Sequence, residues 1–462
     1  MENTKRKSVE ELRDALAADS KAMEIVNELF DTATFAQLSA YVKRYSTAAD
    51  NSDKASDFEG VITGYGAVDG RLVFAFVQDS SRMKGAFGEA QAKKICSIYD
   101  MAMKAGAPVI GVFDSCGAKI TEGAGAMAAY AKVMKKAADA SGYIPQIAVI
   151  TGVCAGSAAA FAAMSDFVIA SEKAELYVTA TASGSIEKSA ESGIVDIVCA
   201  PEAVAAKAKE LLMFLPQTCD SEAIVENGDD LNRLTPEIEA VLGKGDMKKI
   251  IASVADNGKV LEVASTYAPE MISAFVSVGG YSCGVIANDP SKNDGAITPA
   301  AADKAAGFVN LCSSYGIPVV TLVDSIGVDG NSEDAAYASS LASLAFSYAQ
   351  AQSACVTAVV GKAYGAAGTV FGSKSVGADV VYATDNAEIS ALSPEAAVFF
   401  LNQSEIAAAK DPEAARKEKI AEWKEQYASP VEAARLGEID DIVLAEELRQ
   451  RICAAIEMMN AD

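Results

Sequence analysis

Along the chain, apolar positions switch between two periods. Ile95, Ile98, Tyr99 and Ala102 fall on one helical face, Gly106 stands where that helix can end, and Pro108-Val-Ile-Gly-Val-Phe113 is a continuous apolar run that predicts a short buried strand. The same order returns later: Thr298-Pro299 fits an N-cap and first helical residue, and Pro318-Val-Val-Thr-Leu-Val323 reads as the matching strand. The segment from Tyr143 to Ser165 carries no charge and is long enough to cross a membrane, but Pro145, Gln146, Gly152, Gly156 and its many alanines favour a buried strand, a tight turn and a helix. From Glu405 to Asp462, charged and apolar residues alternate at helical spacing, which predicts helices packed on the domain or on a neighbouring subunit and shows no chemistry.

The pattern is written twice. Lys94, Gly106, Pro108, Asp114, Ser115 and Gly117 recur at one constant shift as Lys304, Gly316, Pro318, Asp324, Ser325 and Gly327. The register then slips by one. Ile147-Ala-Val-Ile-Thr-Gly152 answers Val356-Thr-Ala-Val-Val-Gly361, Cys154-Ala-Gly-Ser157 answers Ala363-Tyr-Gly-Ala366, and Asp166 and Ala174-Glu175 recur as Asp379 and Ala387-Glu388. Two homologous domains follow, over residues 1–230 and 246–462, with the acidic, turn-rich stretch from Thr218 to Gly245 as linker. Each copy reads helix, strand, glycine loop, helix, strand, glycine turn, helix, strand, the alternation of an α/β domain.

Composition narrows the chemistry. A chain of 462 residues, 51% of them apolar, can bury two cores. Its formal charge of −24 repels nucleic acid and anionic membrane surfaces, and an anionic ligand would need a local basic patch. The absence of histidine removes Ser-His-Asp and Cys-His hydrolases, HExxH metalloproteases and His-ligated metal sites, and we expect no metal. Nine scattered cysteines without a Cys-x-x-Cys pair suit a reduced cytoplasm, and the charged N-terminus lacks the apolar core of a secretion signal.

The glycine turns carry the candidate chemistry. A strand that ends at Gly152 and passes through Cys154-Ala-Gly156-Ser157 into an alanine-rich helix leaves unpaired amides at a helix N-terminus, where they bind anions or oxyanions. Lys362-Ala-Tyr-Gly365-Ala366-Ala367-Gly368 repeats the arrangement, so two pockets suggest two carbonyl substrates. Small residues let an oxyanion come within about 3 Å of the amides, although close helix–strand packing selects the same residues.

Gly111-Val-Phe-Asp-Ser-Cys-Gly-Ala-Lys-Ile-Thr-Glu-Gly123, Ile144-Pro-Gln-Ile-Ala-Val-Ile-Thr-Gly-Val-Cys-Ala-Gly156 and Val360-Gly-Lys-Ala-Tyr-Gly365 together resemble the signature stretches of acyl-CoA carboxyltransferases, the components of biotin-dependent carboxylases and decarboxylases. The similarity runs from Glu59-Gly-Val-Ile-Thr-Gly64 to about Leu401. The resemblance implies tandem crotonase-like α/β domains related by internal duplication, with acyl-CoA bound by the first and biotin, borne on a separate carrier protein, by the second. In the family, the two halves of one site come from different protomers. Carried over, the amides of Gly156 and Ser157 would hold the thioester enolate oxygen and those of Gly365, Ala366 and Ala367 the biotin oxygen. Gly117, Ala118, Lys119, Tyr364 and Thr369 would be the cofactor-binding positions. Decarboxylated biotin itself is usually written as the base, which a chain without histidine fits. The implied partners are a biotin carboxyl carrier protein, a biotin carboxylase or membrane decarboxylase, and further copies of this chain, a hexamer by family analogy.

The chain departs from the family pattern at several points. Gly156-Ser157 and Gly365-Ala366 stand for the usual Gly-Gly pairs, Cys116-Gly-Ala-Lys119 for Gly-Gly-Ala-Arg, and Thr369 for a commonly acidic residue linked to acyl selectivity. Lys119, Arg82 and Lys84 are the candidates for the charge that coenzyme A phosphates require. Asp114 and Asp324 are expected to cap backbone amides, Cys116 and Cys154 to pack. Lys104 in Ala102-Met-Lys-Ala105 looks like a biotin-attachment lysine but falls on a helix, and Gly123-Ala-Gly-Ala-Met-Ala128 is a weak dinucleotide fingerprint. Two other functions stay open at this level: a biotin-independent, enolate-stabilising acyl-CoA enzyme, and a non-catalytic assembly scaffold.

Overall fold

The computed structural model describes Ser8 and residues 20–45, 58–179, 184–225, 229–328 and 336–460. Two compact units divide the chain: Met1–Leu212 with Gln217–Asp220, and Met213–Pro216 with Ser221–Asp462. The expected linker is not a free tether. Thr235 is buried and its amide donates to Glu446 O at 2.8 Å, and Ile238, in the helix Glu237–Val241, is buried. Residues 229–245 therefore belong to the second unit.

In the first unit the strands β1 (Ala36–Leu38), β2 (Val61–Val68), β3 (Arg71–Gln78), β4 (Val109–Ser115), β5 (Gln146–Ala155), β6 (Phe167–Ser171) and β8 (Ile197–Cys199) lie side by side in that order, and β7 (Glu175–Tyr177) pairs with the end of β5. β1, β2 and β3 are antiparallel to one another; from β3 onward every pairing is parallel. The second unit repeats the plan with β9 (Val260–Val263), β10 (Met271–Val278), β11 (Tyr281–Asn288), β12 (Val319–Ser325), β13 (Cys355–Tyr364), β14 (Val380–Thr384) and β16 (Asp441–Val443), while β15 (Glu388–Ser390) pairs with β13. The hairpins β2–β3 and β10–β11 turn through Asp69-Gly70 and Gly279-Gly280, all four with positive φ, the tight turn that matches strand twist.

Helices α1 (Glu89–Ala105), α2 (Ala124–Ala140) and α3 (Ser157–Ala162) serve the first sheet, and α4 (Pro299–Ser314), α5 (Ala336–Ala349) and α6 (Ala366–Val370) stand at the matching places in the second. The periodicity is realised: Ile95, Ile98, Tyr99 and Ala102 are buried, Gly106 caps α1 in the left-handed region, and the Thr298 side chain accepts the Ala301 amide ahead of Pro299. The apolar stretch from Tyr143 to Ser165 is β5, a glycine turn and α3. Among the described residues no helix is long and apolar enough to cross a membrane. The repeated lysines fasten α1 and α4 to the hairpins. Lys94 Nζ donates to Val61 O, and Lys304 Nζ donates to Ala264 O, Tyr267 O and Met271 O at 2.8, 2.8 and 2.7 Å. Burial pushes Lys94 down to about 8.

Candidate active site

Each glycine turn is a change of backbone direction at the C-terminal end of a central strand. Gly156, at φ 64° and ψ −128°, joins β5 to α3; Gly365, at φ 53° and ψ −118°, joins β13 to α6. Two expected donors are already engaged: the Gly156 amide donates to Tyr177 O at 2.9 Å and the Gly365 amide to Ser390 O at 3.0 Å. These glycines aim the turn; the amides after them are the unpaired ones. Ser157 and Ala158, and likewise Ala366 and Ala367, open their helices, so their N–H groups have no intrahelical partner, and they have no other protein acceptor among the described residues.

A second loop completes each arrangement. Gly117, at φ 100°, donates to Ser115 Oγ at 3.2 Å and accepts from the Phe87 amide at 2.8 Å; a Cβ on it would come within 3.1 Å of Ala155 O. Gly327 repeats this at φ 103°, donating to Ser325 Oγ at 3.1 Å, and its Cβ would lie 2.9 Å from Tyr364 O. Glycine is thus required where the loop lies on the turn. Ala118 is exposed beside Gly117, and its amide has no protein acceptor among the described residues.

The aspartates that precede these loops are structural, as their position suggested. Asp114 Oδ1 accepts the Val153 amide at 3.2 Å, and Asp324 Oδ1 accepts the Lys362 amide at 2.9 Å. A Cβ at Gly152 or Gly361 would stand 2.2 or 2.3 Å from the corresponding carboxylate, which accounts for both glycines. Burial, the largest influence, pushes the Asp324 carboxyl above the ordinary range.

Of the three expected coenzyme A cations, Lys119 is the buried one. It is 4% exposed, pairs with Glu122 at 3.2 Å and donates to Tyr45 O, so its charge is neutralised inside the unit. Arg82 Nε lies 3.5 Å from Asp79, while Lys84 is exposed. Cys116 is exposed; Cys154 is buried, and burial together with the Asp114 charge pushes its thiol up to about 12. Lys104 lies in the last turn of α1, and Gly123 opens α2 after the short turn Ile120–Glu122 that follows β4, so neither decoy finds its proper setting.

On the second unit, Tyr364 is buried and its hydroxyl donates to Glu388 Oε2, while Glu388 Oε1 accepts from Lys424 Nζ at 2.7 Å. The Tyr364 hydroxyl is spent holding the turn. Burial first, then Glu388, raises the Tyr364 phenol. Thr369 is exposed and donates to Gly365 O at 2.9 Å. Beneath the turn lies a cavity of about 280 Å³, lined by Gly365, Ala367, Gly368 and Thr369 and by apolar side chains such as Val359 and Ile389. Glu388 and Lys424 are the partners that sequence reasoning missed, although the recurring Ala174-Glu175 and Ala387-Glu388 marked the strands β7 and β15.

Two copies of one strand–glycine turn–helix device, each with unpaired amides that could face an anion or oxyanion, make up a duplicated α/β protein of the crotonase-like kind. A carboxyl transferase domain model matches residues 20–462. The methylmalonyl-CoA decarboxylase subunit alpha of Propionigenium modestum is 36% identical over 95% of this chain and 90% of its own length. The methylmalonyl-CoA carboxyltransferase 12S subunit of Propionibacterium freudenreichii subsp. shermanii is 36% identical over 95% and 88%. A transcarboxylase 12S crystal structure with methylmalonyl-coenzyme A and methylmalonic acid bound superimposes with a TM-score of 0.90 at 34% identity, covering 96% of this chain and 90% of that one. The chain belongs to the carboxyl transferase family, among the biotin-dependent acyl-CoA carboxyltransferases.

Proposed function

We propose that this carboxyltransferase moves a carboxyl group between biotin on a separate carrier protein and the α-carbon of a small acyl-CoA of propionyl size, with the thioester at the first unit's turn and biotin at the second's. The observation that carries the reading is the paired set of unengaged amides, Ser157 and Ala158 with Ala118 in one unit and Ala366 and Ala367 in the other. The names of the relatives, which specify methylmalonyl-CoA, support the acyl size.

The first set polarises the thioester carbonyl and takes up the negative charge that grows on its oxygen as the α-carbon gains or loses the carboxyl group. Fixed donors of this kind are worth about 10²–10³ in rate each. The second set does the same for the ureido oxygen, and the apolar cavity beneath it is a fit for a compact ring. Biotin supplies the nitrogen that accepts the carboxyl group and, without it, a base for the α-proton. Tyr364, held by Glu388 and Lys424, keeps the second turn in place. We place the protein in the cytoplasm, as an oligomer working with a biotin carrier and a carboxylase or membrane decarboxylase. The test is incubation of purified protein with malonyl-CoA or methylmalonyl-CoA, with and without biocytin, and mass spectrometry of the acyl-CoA products. Biotin-dependent conversion, fastest for methylmalonyl-CoA, is expected; conversion without biotin would identify a direct decarboxylase instead.

A further inference from the structure

The loops that follow β3 and β11 are built alike. Asp79 Oδ1 accepts the amide and the hydroxyl of Ser81 at 3.1 and 2.6 Å, and Asp289 Oδ1 accepts those of Ser291 at 3.0 and 2.6 Å. Each loop then closes on itself: the Gly85 amide donates to Arg82 O at 3.0 Å, and the Gly295 amide to Lys292 O at 2.9 Å. The two residues in between are left-handed in both, Met83 and Lys84 at φ 51° and 54°, Asn293 and Asp294 at 48° and 51°. Asparagine and aspartate adopt that backbone readily, whereas methionine and lysine are strained in it. The second unit carries residues that suit the loop, and the first carries residues that do not, as is common where a side chain is kept for function.

The backbone is the same and the charge at its exposed apex is reversed. Arg82 and Lys292 keep one cation in both loops, so the difference lies at Lys84 and Asp294. Lys84 is exposed and has no ion pair among the described residues, while its carbonyl accepts the Cys116 amide at 3.0 Å, which fastens it to the loop that presents the Ala118 amide. Asp294 is exposed too, and it lines a cleft with Glu239, Asp324 and Glu388, where the cations are Lys244 and Lys362. In a chain of net charge −24, an anionic ligand needs a local cation and is repelled where an anion takes its place. We infer that this loop sorts the substrates: Lys84 draws the phosphates of an acyl-CoA to the first unit, and Asp294 at the matching place repels them from the second. The inference rests on the assignment of acyl-CoA to the first unit and goes further by naming the pair of residues that keeps coenzyme A to one of two units of like fold.

The test is calorimetric titration of the whole protein with propionyl-CoA and, separately, with propionyl-pantetheine, which lacks the phosphates, alongside thermal unfolding. Lys84→Asp should weaken propionyl-CoA roughly tenfold and flatten its salt dependence, while Lys84→Arg keeps the affinity and neither change affects propionyl-pantetheine. Lys84→Gly should raise the Tm, because glycine suits the left-handed backbone, and still weaken propionyl-CoA severalfold, a combination that a purely structural lysine would not give. Asp294→Lys should let free coenzyme A compete with biocytin, which the wild type resists. Unchanged propionyl-CoA affinity in folded Lys84→Asp, or an equal loss for propionyl-pantetheine, overturns the inference and leaves the carboxyltransferase reading standing. Coenzyme A that competes with biocytin no better in folded Asp294→Lys than in wild type overturns the sorting by the pair. Wild-type protein that binds no propionyl-CoA overturns the carboxyltransferase reading, and the inference with it.

Discussion

The carboxylate of Asp324 accepts the backbone amide of Lys362 at 2.9 Å, and Asp114 holds the amide of Val153 in the same way at 3.2 Å. Each bond ties the end of one central strand to the next, just before the glycine turn. Asparagine keeps the acceptor and loses the charge, so Asp114→Asn and Asp324→Asn should retain transfer within about threefold, whereas alanine at either place should cost about 1–3 kcal/mol of stability. The pH dependence has a definite sign. Because burial raises the Asp324 pKa in the native state, its contribution to stability is greatest at low pH and is lost as pH rises through that native value. The Tm of Asp324→Asn relative to wild type should therefore improve as pH rises from the ordinary carboxyl range through the raised native value. A large loss of activity with intact fold in either asparagine variant would make that aspartate a catalytic acid.

Gly156 combines a positive φ with empty space, since nothing lies within 4 Å of where its Cβ would be. Gly156→Ala should cost about 1–2 kcal/mol through backbone strain alone. Gly156→Val should abolish transfer while the protein stays folded, because the side chain enters the space in front of the amides. Full activity in the valine variant, measured with methylmalonyl-CoA and biocytin, would remove the first turn from the site.

Lys119 and Glu122 form an ion pair in which both side chains are 4% exposed. Removing one partner leaves a buried charge, so Lys119→Met should cost about 3–5 kcal/mol, and Lys119→Met with Glu122→Gln should recover much of it. Acyl-CoA affinity in the double variant should match wild type. A tenfold rise in the Kd for coenzyme A would place Lys119 in the phosphate-binding site.

The thiol of Cys154 is pushed up to about 12 and buried, whereas Cys116 is exposed. Iodoacetamide on the native protein at neutral pH should label Cys116 and spare Cys154, and Cys154→Ala should retain transfer. Loss of transfer in a folded Cys154→Ala variant would assign that sulfur a chemical role.

Much of the fold was legible because the repeat tied each weak local signal to a second copy. Gly106, Thr298-Pro299 and the two Asp-Ser-x-Gly loops fall where their residues placed them. The hairpins β2–β3 and β10–β11 were harder to see. The strands of the second are buried on both faces and those of the first along most of their length, which blurs the alternation of apolar and polar residues, although Asp69-Gly70 and Gly279-Gly280 are turn signals. Within the site, sequence located both turns but could not say which amides were spent: that depends on Tyr177 and Ser390, contributed by short strands that follow the turns. Nor does a lysine declare its partner in advance, and Lys119 found Glu122 three residues along.

The central claim is transfer of the carboxyl group itself to biotin. Methylmalonyl-CoA labelled with ¹³C in the free carboxyl should be incubated with wild-type protein and biocytin, and the biocytin trapped as its methyl ester and analysed by mass spectrometry. The account predicts labelled carboxyl on the ureido nitrogen, appearing at the rate at which propionyl-CoA is formed, and none with Gly156→Val. Propionyl-CoA formed at the same rate with all label released as carbon dioxide, whether or not biocytin is present, would contradict it.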